Sequence, residues 1–187
     1  MITKRTKTLT NQIKEELSLR ESLDLREGKF SGLLSRLSSH QKTSTSFSGN
    51  MKVNRPTAQT IPNDTDTKFE YTTIEYDSDD SFDLTNSRFI AKRKGIYFVA
   101  GYITMNQLAD GKKYIVFTRK NNVDIATHRG TSGALAGVGM PVSDIVRLDV
   151  GDYIEMFVQH THGTDLGTTP VPAENYLSIN LINSGSF

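Results

Sequence analysis

The chain has 187 residues, of which 36% are hydrophobic and 23% are charged, with a net charge of +1 and no cysteine. These values exclude a disulfide framework, a thiolate metal site and the strong positive charge typical of a nucleic-acid-binding protein. Apolar runs fall far short of the roughly 18 residues needed to span a bilayer. The first 17 residues are basic but lack a continuous apolar stretch, so they do not resemble a secretory signal. We therefore expect synthesis in a cytoplasm, with no nucleic acid and no membrane among the partners.

Residues 1–37 predict a short helical segment for docking or oligomerisation. Thr10 or Asn11 can cap a first helix, Gly28 can end it, and a second amphipathic piece follows. Isolated helices of this length are marginal in water, so their apolar stripe needs a partner surface. The apolar residues at helical spacing, which we expect to anchor the segment, are Ile13, Leu17, Leu23, Phe30, Leu33, Leu34 and Leu37.

Two arrangements of this segment stay open, a trimeric coiled coil and single docking. Heptad a and d positions also take Glu16 and Arg26, which favours docking on another protein. Residues 1–47 carry nine Lys and Arg against five Asp and Glu, which we interpret as a solvated helix surface. Residues 38–50 are rich in Ser and Thr without periodicity and predict a flexible linker.

Residues 51–187 predict one all-β domain of short strands separated by turns. The most apolar stretch, residues 88–105, predicts a short strand, a charged turn and a long strand buried at the centre of the domain. Two segments are interpreted as exposed loops: residues 129–140, too rich in glycine for a strand, and residues 162–172. Antiparallel strands at this spacing indicate a sandwich or jelly roll. Other strands are predicted over residues 51–55, 68–72, 113–119, 123–127, 142–150, 153–160 and 176–182.

Three motifs of this domain resemble the complement C1q-like branch of the tumour necrosis factor superfamily, especially its bacterial and phage members. The first is NRPTAQTIPN, residues 54–63, followed by Phe69. The second is an F-x-A-x-x-x-G-x-Y element that begins at Phe89. The third is LDVGDYIEMFV, residues 148–158, ahead of the last predicted strand. The order and spacing of the set cover nearly the whole domain.

The resemblance implies a jelly roll of about ten strands that forms a homotrimer and recognises partners without catalysis. It also implies that Tyr153 and Phe157, on the opposite face of their strand, contribute to the trimer contact. The collagen repeats and secretion signal of the complement proteins are absent from this sequence. The residues placed in the core by the resemblance are Phe89, Tyr97, Val99, Ile154, Met156 and Leu181.

Two polar clusters have residue types that could form a chemical site. His160 and His162 have the spacing of a metal chelate on an extended strand, but two ligands make no site, and we expect surface or interface histidines. Asp77, Asp79 and Asp80 lack the pattern of a calcium loop and predict a solvated acidic turn. No nucleophile elbow and no phosphate-binding loop occurs. We therefore expect no enzyme activity, no cofactor and no metal.

The function expected is that of a bacteriophage virion structural protein, assembled in the host cytoplasm. In this interpretation the N-terminal segment anchors a trimeric head fibre or tail knob to a capsid or tail protein, and the jelly roll attaches to a host cell-surface glycan or protein. A capsid decoration protein without a ligand is the main alternative, and a surface-polysaccharide hydrolase is a weaker one. The residues proposed for receptor contact, all in the two expected loops, are Arg129, Thr131, Ser132, His162, Thr164 and Asp165.

Overall fold

The computed structural model describes residues 14–16, 18–19, 49–133 and 136–184. The chain divides into two units, Met1–Ser46 and Phe47–Phe187. In the first unit the described residues 14–16, 18 and 19 are helical and exposed. All seven predicted anchor residues lie outside the described residues, so the anchoring helices, the coiled coil and the linker stay predictions. No helix within the described residues is long and apolar enough to cross a membrane.

The second unit is built from antiparallel strands, with one turn of 3-10 helix at Pro172–Glu174. Short strands cluster in its first third, whereas the strands after residue 94 are long except for the two-residue β12. The described strands are β1 (Asn50–Asn54), β2 (Thr60–Ile61), β3 (Thr67–Lys68), β4 (Thr73–Asp77), β5 (Phe82–Asp83), β6 (Arg88–Ile90), β7 (Gly95–Leu108), β8 (Lys113–Lys120), β9 (Val123–Thr131), β10 (Ala136–Leu148), β11 (Tyr153–His160), β12 (Leu166–Gly167) and β13 (Asn175–Asn183).

The strands form two main sheets that pack face to face. One is five-stranded, in the order β10-β7-β13-β1-β4, and the other is six-stranded, in the order β5-β6-β11-β8-β9 with β3 also paired to β11. A small third sheet pairs β2 with β12. Successive side chains of a strand point to opposite faces, so each main sheet has an inner face toward the core and an outer face. The prediction of an antiparallel all-β sandwich is confirmed.

The core lies between the inner faces. The six residues placed there by the resemblance are all buried, which confirms that prediction. Two buried tyrosines complete their hydrogen bonds inside the core: the Tyr114 hydroxyl donates to the Ile103 carbonyl at 2.6 Å, and the Tyr71 hydroxyl lies 3.0 Å from the Met156 sulfur. Burial raises the pKa of both phenols well above the ordinary value. These hydroxyls stay neutral and serve structure.

The F-x-A-x-x-x-G-x-Y element turns the chain from one sheet to the other. Phe89 and Tyr97 meet edge to face, with ring centroids 5.5 Å apart. Gly95 is required by close packing, because a Cβ there would lie 2.5 Å from the Asn183 carbonyl oxygen and from a Leu181 methyl group. The motif therefore fixes how the two sheets join.

The long strand β7 differs from its prediction in one respect. We expect a strand buried at the centre of the domain, but burial alternates along it. Tyr97 and Val99 are buried, whereas Phe98 between them is 39% exposed. The core covers only the inner face, so Phe98 on the outer face stays partly exposed.

The predicted glycine-rich loop at residues 129–140 is wrong for most of its length. Strand β9 continues to Thr131 and β10 starts at Ala136, which leaves a short connection between them. Two glycines fit the strands because larger side chains occupy their space: a Cβ at Gly130 would overlap Met140, and one at Gly139 would overlap Tyr102. Glycine here makes room for neighbours inside a sheet.

Candidate functional site

The two segments expected to contact a receptor meet at one end of the sandwich. The turn at residues 109–113 lies between them and is bonded to both. On one side Gly111 donates its amide to the Ser132 carbonyl at 2.8 Å. On the other side Thr161 donates its amide to the Lys113 carbonyl at 3.1 Å, and the His162 ring accepts from the Ala109 amide at 3.1 Å. The sequence analysis identified both segments but missed the turn that joins them, and their role in receptor contact stays a prediction.

Two of the six predicted contact residues have structural roles instead. Ser132 is only 6% exposed, and its hydroxyl donates to the Leu108 carbonyl at 3.3 Å. His162 is half-buried, and its Nδ1 is occupied by the Ala109 amide. Both side chains hold the turn at residues 109–113 in place, so they are poorly available to a partner.

Thr164 and Asp165 are exposed, as a contact loop requires. Their loop is pinned by Asn63 of the neighbouring turn: the Asn63 side chain accepts from the Gly163 amide at 2.6 Å, and the Asn63 amide donates to Asp165 at 3.2 Å. The loop is therefore presented on a fixed backbone. That role for Thr164 and Asp165 stays a prediction.

Arg129 and Thr131 lie on the outer face of the six-stranded sheet, where β9 pairs with β8. The register opposes Ile115 to Arg129 and Lys113 to Thr131. Together with Gly130 these residues line a shallow pocket of about 250 Å³. Lys113, Arg129 and Thr131 are exposed, and Ile115 is half-buried. We call this the β8–β9 pocket.

The two residues expected at the trimer contact lie further along the same outer face. Phe157 stacks on Phe117 with ring centroids 5.4 Å apart, and the Arg119 guanidinium covers both rings, at 4.2 Å and 4.9 Å. Phe157 is therefore only 9% exposed within its own chain. Tyr153 is half-buried beneath Arg88, whose guanidinium lies 5.1 Å from the ring centroid. Their role in trimer contact stays a prediction, but little of Phe157 is left for a partner.

Ion pairs lock this cover in place. Arg119 binds Asp124 at 2.7 Å and Asp66 at 2.9 Å, and these bonds raise the pKa of the guanidinium. Lys68 binds the buried Glu155 at 2.8 Å. Charge-assisted bonds of this kind are strongest where water is partly excluded. The part of this outer face around Phe117 and Phe157 is thus covered by side chains of the same chain.

The outer face of the five-stranded sheet has a different character, which sequence reasoning did not identify as a surface. Its paired rows place Ile145 opposite Phe98 on β7, and Tyr102 opposite Tyr176 on β13. Ile145 is 63% exposed and Phe98 is 39% exposed. The two tyrosine rings stack at 6.3 Å, with small residues between them and Phe98. We call this the apolar face. The signal was the unbroken apolar run of β7, which was interpreted as buried.

The histidine pair holds the backbone around β11 together. His160 is buried, contrary to the expected surface or interface position, and both of its nitrogens are used: one bonds the Ile61 carbonyl at 2.9 Å and the other accepts from the His162 amide at 3.2 Å. The ring joins β11 to β2 and to the following turn. Among the described residues no group of three His, Cys, Asp or Glu side chains is placed to hold a metal ion.

The acidic turn after β4 is organised by Asp77. Its carboxylate accepts from the amides of Ser81 and Phe82, at 2.7 Å and 2.8 Å, and from the Ser81 hydroxyl at 2.7 Å. Asp79 pairs with Arg93 at 3.3 Å. The carboxylates therefore close the turn and are less solvated than expected.

Comparisons with known proteins agree with this architecture. The structure resembles the globular domain of a zebrafish complement 1qA protein with a TM-score of 0.55 and 13% identity, over 73% of this chain and 99% of that one. It also resembles Eiger, a tumour necrosis factor from S. frugiperda, with a TM-score of 0.55 and 10% identity, over 74% of this chain and 94% of that one. No family model and no curated protein matches the sequence.

These likenesses define the class of fold: a jelly roll of the complement C1q and tumour necrosis factor type. At such low identity they show the fold alone. What the protein does has to be argued from its own surfaces.

Proposed function

We propose that this chain is a homotrimeric virion protein of a bacteriophage, anchored by its N-terminal segment and attached to the host through the jelly-roll domain. The observation that carries the trimer is the apolar face. Large exposed apolar patches on a folded domain mark interaction surfaces. A second copy of the same chain is the partner that is present whenever the chain is made.

The composition of the apolar face suits self-association. Phe98 and Ile145 provide bulk, and the tyrosine pair provides flat rings with polar tips, which are favoured at interfaces. Ala100, Ser143 and Ser178 lie between them in the paired rows and allow close approach. This face is a better contact than Tyr153 and Phe157, because Phe157 is already covered by Arg119. The number three rests on the resemblance of the sequence motifs to a trimeric family.

A trimer formed through the apolar face would leave other surfaces of each chain available for attachment to the host. Closing the apolar face leaves the six-stranded sheet and the loop end facing outward on each chain. Three equivalent surfaces on one anchor convert a weak contact into useful avidity, and repetition over a particle multiplies it. The phage setting is supported by the resemblance to bacterial and phage members of the family. Binding of a glycan or protein requires no catalytic group.

A decoration protein without a ligand is the second candidate. It is favoured by the self-closed surface around Arg119 and Phe157, which offers little to a partner. The two candidates differ in what fails when the domain is lost. If the chain is a decoration protein, particles that lack the domain become fragile but adsorb to the host normally.

The experiment is to delete residues 51–187 from the chain in its source particle and to measure adsorption and particle integrity separately. Attachment predicts intact particles whose adsorption falls at least about tenfold, since avidity is lost. Normal adsorption with fragile particles selects the decoration protein. Absence of the chain from purified wild-type particles contradicts both.

A further inference from the structure

The β8–β9 pocket carries two cations that lack a counter-charge. In the described part of the chain eight other Lys and Arg side chains form ion pairs with carboxylates. Neither Lys113 nor Arg129 belongs to that set, although both line the same pocket. Asp110, the acidic residue closest to Lys113 along the sequence, is exposed. The other cations on the strands of this sheet are paired with carboxylates, whereas Lys113 and Arg129 are in none of these ion pairs.

The register brings these two cations close to each other. Lys113 faces Thr131 and Ile115 faces Arg129, so Lys113 and Arg129 are diagonal neighbours on one face. Diagonal Cβ atoms on adjacent strands lie about 7 Å apart, within reach of one ligand group for side chains of this length. Like charges at that spacing repel, and a bound anion would remove the repulsion. The spacing of Lys113 and Arg129 therefore favours the binding of an anion between them.

We propose that the β8–β9 pocket binds the oxyanion group of an acidic saccharide, a carboxylate or a phosphate carried on a sugar. The Arg129 guanidinium provides a bidentate fork for two oxygens, and Lys113 adds a point charge. Thr131 adds a hydroxyl at the rim, and Ile115 provides an apolar floor for the sugar ring. A volume of about 250 Å³ suits a single sugar unit.

This inference rests on the proposed attachment function and gives it a ligand class. The pocket lies on the outer face of the six-stranded sheet, away from the apolar face. It therefore stays open when the apolar face is closed in a trimer. Three outward pockets on one anchor can engage a repeating acidic polymer by avidity.

The test is calorimetric titration of the full chain with glucuronate and with glucose 1-phosphate, using glucose as the neutral probe. We expect binding of at least one acidic probe and none of glucose. Arg129→Gln and Lys113→Gln each weaken that binding at least about tenfold, the range for a charged hydrogen bond. Lys92→Gln is the matched control, since Lys92 is exposed and lies in the turn before β7. It removes the same charge outside the pocket and leaves binding unchanged.

Which acidic probe binds more tightly distinguishes a carboxylate from a phosphate source. Equal weakening by all three variants means non-specific attraction and overturns the pocket, as does the absence of binding by either acid. Adsorption of particles carrying Arg129→Gln separates the two proposals. If adsorption is unchanged while the trimer persists, attachment stands and this pocket is wrong as its site.

Discussion

The outer faces of the two sheets differ in how their aromatic side chains are shielded from water. Both carry aromatic side chains that are costly to leave in water. On the six-stranded sheet Arg119 lies over Phe117 and Phe157 and is held there by Asp66 and Asp124. On the apolar face Phe98 and Ile145 have no such cover. Tyr102 stacks on Tyr176, whose ring centroid lies 5.5 Å from the Lys52 ammonium.

The difference indicates which face is complete in one chain. A face closed by its own cation and ion pairs gains little from a partner. A face that leaves bulky apolar side chains exposed gains the full hydrophobic free energy when a second copy covers it. The apolar face is therefore the surface that we propose is covered by other copies of the chain.

Phe98→Glu and Ile145→Glu are expected to give the largest effect. Each places a desolvated charge in the contact, repeated in every subunit, so self-association weakens at least about 30-fold while the fold is kept. Sedimentation equilibrium gives the association constant and circular dichroism checks the fold. The matched control is Val123→Glu, because Val123 is 66% exposed and lies outside the apolar face. An association constant that is as low for the control as for the two variants would contradict the assignment of this face.

Arg119→Ala tests the outer face of the six-stranded sheet. We expect it to lower the stability of the domain and to leave self-association unchanged. Loss of the guanidinium uncovers two phenylalanine rings and breaks two ion pairs, which lowers the free energy of unfolding by about 2 kcal/mol. Arg119→Lys keeps the charge but not the planar stack, so it should lose about half as much. Urea unfolding at one fixed protein concentration measures both, with Lys92→Ala as the control. A change no larger than that of Lys92→Ala would show that the cover is unimportant.

Asp152→Asn tests the ion pairs at the end of the same sheet through their pH dependence. Partial burial opposes ionisation of this carboxyl, but bonds from Lys120, Asn121 and the Asp149 amide outweigh it and lower the pKa to about 2. A lowered pKa stabilises the fold above the unfolded value near 4 and loses that effect as pH falls toward 2.

We therefore expect the variant to be about 1 kcal/mol less stable than the parent at pH 7, a value reduced for screening by solvent. The gap should close between about pH 4 and pH 2. Unfolding curves of both proteins across this range provide the measurement. A gap that is constant with pH would mean that the carboxylate charge plays no part.

Gly139→Ala should give the smallest effect and act on the apolar face alone. The added methyl group would overlap Tyr102 and lie 2.7 Å from the Thr104 hydroxyl, so Tyr102 must leave its stack with Tyr176 and the Thr104 side chain must rotate. Because Tyr102 can swing away, we expect a loss of about threefold in association and little change in stability. Gly167→Ala is the control, since a Cβ there meets nothing within 4 Å. Identical sedimentation of the two variants would place Tyr102 outside the contact.

Much of the fold can be predicted from the sequence, because the alternation of apolar and polar residues in strands and the residues typical of turns are local signals. The predicted bounds of β11, residues 153–160, match the structure, and all six predicted core residues are buried. The prediction of a loop at residues 129–140 was wrong because two of its glycines make room for residues from elsewhere in the sheet. Met140 fills the space over Gly130, and Tyr102 lies against Gly139. Composition cannot show such partners.

The candidate site was only partly predictable for a similar reason. Arg129 and Thr131 were identified because loops carry binding, although they lie at the end of a strand. Lys113 was missed, since only the register of β8 and β9 brings it beside Arg129. The apolar face was missed because an unbroken apolar run is interpreted as core. The hydropathy pattern cannot tell a face buried within one chain from a face buried between copies.

If other copies of the chain cover the apolar face, a thiol placed on it is protected from reagents only while the copies stay together. The chain has no cysteine, so a single thiol can report on it. Ile145→Cys places the thiol on the apolar face, and Val123→Cys places it at a site of similar exposure elsewhere, 63% against 66% in one chain. We predict that maleimide labels the first variant at least about tenfold more slowly than the second at high protein concentration, and equally fast once dilution separates the copies. Equal rates at every concentration would contradict the account.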